Sequence, residues 1–309
     1  MFKRFTNQQL IIVFGALAVI YLASMAFGGR ADRTFNKTVS ALDTAKVSQI
    51  LITPPGGEKV TLSKNGPAWN VELPGGVKVP TGKDLVKRAL ESIAFLEVNQ
   101  LVSKNDNDWA EYKVDTAGTR VEVMAGSAKV LNLIIGRSEY KQTMMSYVRT
   151  EGNDETYMVE GFLETTFNRE ANDWRNKTII PGPATSWMGV LFNYAADSAF
   201  QLVKGANNQW MFPDSSAINA SEASSFVSQL ANTNGTEFID TPPTVTNPTY
   251  QMMIQTSTTP IEIKAYQDPT YTYVINSSRN PGSWFADKDG SIVAKIFVGK
   301  GKFIPAPTE

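Results

Sequence analysis

The sequence contains neither cysteine nor histidine, and these two absences remove much of the chemistry a chain of this length could carry. A Ser-His-Asp triad, a Cys-His pair, a zinc site of the usual ligands and a haem site all need one or the other. No cysteine follows the N-terminal apolar run, so lipid attachment there is excluded. Disulfides are excluded too, although an exported domain with a large core does not require them. A basic excess is also missing: Lys and Arg number 29 against 30 Asp and Glu, a net charge of −1. Nucleic-acid binding thereby loses its main energetic term, the neutralisation of phosphates, and is set aside.

Long hydrophobic runs are scarce, and one stands out. Residues 10–27 read LIIVFGALAVIYLASMAF, with Ser24 the one strongly polar member. A run of about 18 residues lies at the lower end of what spans a bilayer. Lys3 and Arg4 precede it without an acidic residue, whereas Arg30, Asp32, Arg33 and Lys37 follow. That charge contrast leans towards a cytoplasmic N-terminus. The competing reading is a cleaved signal peptide with Ser24-Met25-Ala26 as its small-x-small site, but the run exceeds the roughly 7–15 residues usual for such a segment. The expectation is therefore a short cytoplasmic segment over 1–9, a transmembrane helix over 10–27 in contact with the lipid bilayer, and a tether over 28–44. Small residues at Gly15, Ala16, Ala18 and Ala23 would give that helix a face for close packing against a neighbour.

The remaining 282 or so residues alternate in a way that predicts an α+β fold. Val47–Ile52, Lys59–Leu62 and Ala68–Val71 read as strands separated by Pro54-Pro55-Gly56-Gly57 and Asn65-Gly66-Pro67 turns. Thr81 then opens a helix whose Leu85, Val86, Ala89, Leu90, Ile93 and Phe95-Leu96 share a face, opposite Lys83, Lys87, Arg88 and Glu91. Further strands are expected over 120–124, 130–135, 144–149 and 156–159, and Pro181-Gly182-Pro183 marks a boundary. The same order of features then recurs. Trp210 answers to Trp69, a helix over 220–230 to the first helix, Tyr273-Val274 to Tyr147-Val148, and Lys302-Phe303-Ile304-Pro305 to Lys177-Thr178-Ile179-Ile180-Pro181. The reading is one N-terminal transmembrane helix followed by two tandem, internally repeated α+β units with antiparallel sheets, over 45–181 and 182–309.

Short motifs sit at fixed places in the first half. Glu111-Tyr112-Lys113-Val114-Asp115, Leu133-Ile134-Ile135-Gly136 and Tyr147-Val148-Arg149, together with the Trp-ended hairpin and amphipathic helix, resemble the family called domain of unknown function 4340. Asp173-Trp174-Arg175-Asn176-Lys177 resembles that family's recurring Trp-Arg-x-Lys end. The resemblance covers roughly 47–181 well and the second half less well. Lys113 stands where the family commonly has glycine. The resemblance implies a single-pass, extracytoplasmic protein that accompanies ABC-type transporter components of the kind linked to gliding motility, and it implies no catalytic residue.

The other constellations read as structure. Asp106 and Asp108 lie in a polar run with Asn105 and Asn107, without the glycine and distant Glu of a calcium loop. Asp287-Lys288-Asp289-Gly290 reads as a turn feeding a helix. Glycine pairs at Gly56-Gly57 and Gly75-Gly76 lack the Lys-Ser/Thr of a phosphate loop. No catalytic, cofactor-binding or metal-ligating residue emerges. Trp187, just after the Pro-Gly-Pro segment, is the tryptophan expected to be exposed for partner contact. The sequence thus points to a non-enzymatic, inner-membrane-anchored periplasmic subunit or scaffold whose partners are other inner-membrane proteins, ABC transporter components among them. A periplasmic module that binds glycan or peptide is the alternative.

Overall fold

The computed structural model describes residues 14–17, 19, 21, 38–194, 198–240 and 244–306. In chain order its strands are β1 (Thr38–Ala41), β2 (Gln49–Thr53), β3 (Val60–Asn65), β4 (Ala68–Glu72) and β5 (Lys78–Pro80). They continue as β6 (Phe95–Ser103), β7 (Thr119–Ala125), β8 (Ala128–Tyr140), β9 (Met144–Thr150), β10 (Thr156–Glu160) and β11 (Thr178–Ile180). Next come β12 (Trp187–Tyr194), β13 (Phe200–Lys204), β14 (Trp210–Met211), β15 (Thr233–Asn234) and β16 (Glu237–Ile239). The last are β17 (Tyr250–Thr256), β18 (Ile261–Asp268), β19 (Thr272–Ser277) and β20 (Trp284–Asp287). Helices are short: α1 (Leu85–Ala94), α2 (Trp109–Tyr112), α3 (Leu163–Phe167), α4 (Ala171–Trp174), α5 (Ala220–Leu230) and α6 (Ser291–Ile296).

These elements correct the expected architecture. The protein is mostly antiparallel sheet, in three sheets. Among the described residues no helix is long and apolar enough to cross a membrane, so the transmembrane helix expected over 10–27 is not supported. Residues 14–17, 19 and 21 are helical and exposed, and the rest of that run lies outside the described residues. The segment 1–9 lies outside them entirely, and so does the expected tether up to residue 37. Within the expected tether, Thr38–Ala41 form strand β1, paired with β6.

The chain divides into two compact units, Met1–Lys64 with Val86–Glu170, and Asn65–Leu85 with Ala171–Glu309. In the first, the strand order is β1-β6-β10-β9-β8-β7-β2-β3. In the second, β4 pairs with β5, β11 with β15, and the main sheet runs β14-β13-β12-β17-β18-β19-β20-β16. From β6 to β3 and from β16 to β13 the two orders match strand for strand, every label in the second being ten higher. One helix of about three turns precedes β6 in the first unit and the short β15 and then β16 in the second, and one short helix follows β10 and β20.

Alternation explains the strands. Ile50 and Ile52, Val60 and Leu62, and Val121 and Val123 are buried at every second position, as expected when one face of a sheet meets a core. The helix α1 buries Val86, Ala89, Leu90 and Ile93, the i, i+3, i+4, i+7 spacing of a single stripe. It stops at Ala94, and Phe95, expected at the helix end, instead opens β6 and is exposed. In the second unit Asn219 caps α5 by accepting from the Glu222 amide at 3.1 Å. Phe226 and Leu230 of α5 join Phe192, Phe200 and Phe303 in one core, where each large side chain contributes about 1.5–3 kcal/mol of burial.

Candidate functional site

The family-like motifs of the first unit converge on one place, the face of its sheet covered by α2. Lys113 ends α2 in a left-handed conformation, φ 55°, which turns the chain back over the sheet. The Tyr112 carbonyl then lies so near strand β8 that a Cβ on Gly136 would sit 2.1 Å from it. A Cβ on Gly118 would sit 2.5 Å from the Lys113 carbonyl. Glycine at both positions is what lets backbone approach backbone here. Beneath the turn Val114, Ile134, Met145, Tyr147 and Met158 form a small buried cluster, with Trp109 and Tyr112 packed against it.

Charged side chains frame this cluster. Tyr112 and Tyr147 rings lie 4.8 Å apart, and the Arg137 guanidinium carbon stands 4.6 Å from the Tyr147 centroid and 5.7 Å from that of Tyr112. Such cation–π contacts contribute about 0.5–1 kcal/mol when exposed and about 2 when desolvated. Arg137 also donates from Nε to the Glu111 carbonyl at 3.1 Å. The Tyr147 hydroxyl donates to Glu139 at 2.5 Å, and burial together with that carboxylate pushes its pKa up to about 12. Arg149, 6% exposed, donates from Nε to the Val114 carbonyl at 3.1 Å and from an η nitrogen to the Asn153 carbonyl at 3.3 Å. Its guanidinium carbon is 3.7 Å from the Trp109 centroid. Arg137, Tyr147 and Arg149 thus each direct a donor to the chain's own backbone or to a neighbouring side chain.

The Trp-Arg-x-Lys segment builds a comparable clamp in the second unit. Trp174 ends α4, Arg175 follows it, and both are buried. Arg175 donates to Asn172 at 3.1 Å and to the largely exposed Asp240 at 2.8 Å, with its guanidinium carbon 3.8 Å from the Phe238 centroid. Its neighbours tie α4 to the β4–β5 hairpin, because Gly82 donates to the Trp174 carbonyl at 2.9 Å and Asn176 to that of Pro80 at 2.9 Å.

A cleft of about 450 Å³ lies elsewhere in the second unit, between the β13–β14 hairpin and the segment leading to α5. Asn207, Gln209, Trp210, Met211, Ser215 and Ser216 are among its lining residues. No charged side chain lines it. Among the described residues no group of three or more His, Cys, Asp or Glu is placed to hold a metal ion.

Among the described residues, those singled out from sequence are not brought together in a site. Gly15 and Ala16 are helical and exposed, with nothing within 4 Å of a Cβ built on Gly15. Ala18 and Ala23 lie outside the described residues. Trp187 is not an exposed contact: it opens β12 with its side chain in the core at 1% exposure, and Met188 next to it faces outward at 50%. Sequence reasoning missed the Arg137–Tyr147–Tyr112 stack, although glycines inside strand-like runs were a signal of close backbone approach.

A family model for a domain of unknown function, DUF4340, matches residues 69–252, more than half of the chain. The chain belongs to this family. The match includes all the motifs just described, so the geometry of the DUF4340 segment in this protein is that of two internal clamps. Searches of the curated proteins and of the solved structures found no match.

Proposed function

We propose that this DUF4340 protein is a non-enzymatic contact subunit or scaffold of a bacterial membrane-protein complex, working on the outer side of the cytoplasmic membrane with ABC-type transporter components as partners. The observation that supports it is how the motif residues are used. Arg149 holds the Val114 carbonyl, Arg137 the Glu111 carbonyl, and Gly136 makes room for the Tyr112 carbonyl. These groups hold the turn after α2 against the sheet, a use that shapes a surface.

A protein that works by contact should tolerate loss of any single carboxylate. Changing each Asp and Glu singly to its amide in the cell should give graded effects that follow folding. One substitution that abolishes function while the protein stays folded and bound to its partner would overturn the reading and require an enzyme.

A further inference from the structure

We propose that the cleft beside β14 in the second unit is a docking site for an extended, uncharged peptide segment, which adds to the sheet at Trp210. The inference rests on the contact reading above and names the kind of partner segment the protein takes.

Strand β14 ends the main sheet of its unit, so one of its edges has no neighbouring strand among the described residues. Which backbone groups point to that edge follows from register. Gly205 donates to the Gln209 carbonyl at 2.8 Å, which makes Gly205–Gln209 a hydrogen-bonded pair. Pairs in an antiparallel ladder alternate, so the next, Lys204–Trp210, is a non-bonded pair, and Val203–Met211 is bonded again. The Trp210 N–H and C=O therefore point away from β13, and Trp210 is itself one of the residues that line the cleft. A strand-like segment supplies the matching acceptor and donor, the arrangement used when a peptide extends a sheet edge.

The lining decides what the segment carries. Amides of Asn207 and Gln209 and the Ser215 hydroxyl offer donors and acceptors without net charge, the Ser216 hydroxyl oxygen offers an acceptor, and Met211 offers a pliable apolar wall. Charges at the margin are already engaged: Asp214 accepts from the Ser216 amide at 3.0 Å and hydroxyl at 2.7 Å and lies 3.8 Å from Lys300, while Lys204 donates to the Thr185 carbonyl at 3.1 Å. A volume of about 450 Å³ suits one or two side chains of a bound strand within the roughly 300–1,000 Å³ range of ligand clefts. The occupant is thus a segment of Ser, Thr, Val or Ala in character. Saccharide hydroxyls could pair with the same amides and with the outward N–H and C=O, so the trisaccharide is the competitor that tests the peptide assignment.

The test uses the full chain and an acetylated, amidated, fluorescein-labelled peptide Thr-Val-Ser-Val-Thr-Val. Fluorescence polarisation should show saturable binding at or below about 1 mM, and hydrogen–deuterium exchange should slow over residues 205–220 and nowhere else. The same peptide with every backbone amide N-methylated should bind at least about tenfold more weakly, and an N-acetylglucosamine trisaccharide should not displace the parent peptide. Ser216→Arg and, in the hairpin turn, Asn207→Arg should each weaken binding about tenfold with unchanged circular dichroism. Equal binding of the methylated peptide, displacement by the trisaccharide, protection outside 205–220 or no binding up to about 1 mM would each overturn the proposal. If these assays fail while a transporter component still co-purifies with both variants, only the cleft assignment is lost and the contact reading stands.

Discussion

Substituting Gly136 by Ala adds one methyl group where the structure has no room for it. The new Cβ would lie 2.1 Å from the Tyr112 carbonyl oxygen, 2.8 Å from Cγ1 of Val114 and 3.0 Å from the Lys113 carbonyl carbon. Two of these neighbours are backbone, so no side-chain rotation relieves the overlap, and the turn after α2 must lift by about 1 Å to reach ordinary contact distance. Lifting it stretches the 3.1 Å bond from Arg149 to the Val114 carbonyl and loosens Tyr112 from Tyr147. Overpacking of this kind costs about 1–3 kcal/mol, and weakening a bond from a charged donor adds to it, so a total near 3 kcal/mol is expected. For a unit of this size that is a fall of about 6–12 °C in the thermal midpoint. Scanning calorimetry of the full chain would read it, as a shift in the transition of the first unit. Gly282→Ala is the control: nothing lies within 4 Å of its Cβ, and a change within about 0.5 kcal/mol is expected. Equal midpoints for the two variants would refute the close approach of the turn to β8.

Arg149→Lys removes the planar fork that reaches two carbonyls at once, so the urea midpoint should fall by an amount worth about 1.5–3 kcal/mol with an unchanged m value; an unmoved midpoint would show that the guanidinium does not hold the turn. Asp287 is 2% exposed and accepts from the amides of Ile292 at 3.2 Å and Val293 at 2.8 Å at the start of α6. Asp287→Ala should cost about 1–2 kcal/mol by chemical denaturation and Asp287→Asn less, since one acceptor oxygen remains; equal costs would argue against capping. Tyr147 and Tyr157 are both pushed up to about 12, first by burial and then by Glu139 and Glu155. A phenol with a higher pKa folded than unfolded contributes stability that is intact below about pH 10 and lost as pH rises towards 12. Stability should therefore fall steeply over that window, less so when both are Phe, and tyrosinate absorbance showing both ionised near pH 10 in the folded protein would contradict the assignment.

The strands of the first unit were legible because their side chains alternate. Val121 and Val123, or Leu131, Leu133 and Ile135, fall at every second place on the buried face. Strand β6 was not legible, because its register shifts twice against β10, which breaks the period of two, and its first residues continue the apolar stripe of α1. Trp187 was misread for a different reason. Pro181-Gly182-Pro183 suggests a boundary between units, but the chain enters β12 a few residues later and that strand is buried on one face. At the site, the motif residues could be picked out, but not their job. Nothing local in Leu133-Ile134-Ile135-Gly136 says that the Tyr112 carbonyl will lie on Gly136; that contact exists only once β8 and the turn after α2 are brought together. The outward N–H and C=O of Trp210 were hidden likewise, since they depend on register and on β14 standing at a sheet edge.

The central claim, that the protein acts by contact with a membrane transporter, is tested most directly by affinity purification of the full-length chain from detergent-solubilised membranes, with the partner identified and its ratio to the protein quantified by mass spectrometry. The account predicts an ABC-type transporter component recovered at a fixed, near-stoichiometric ratio that survives salt and detergent washes. Recovery of the protein alone, or with contaminants at variable ratio, would contradict it.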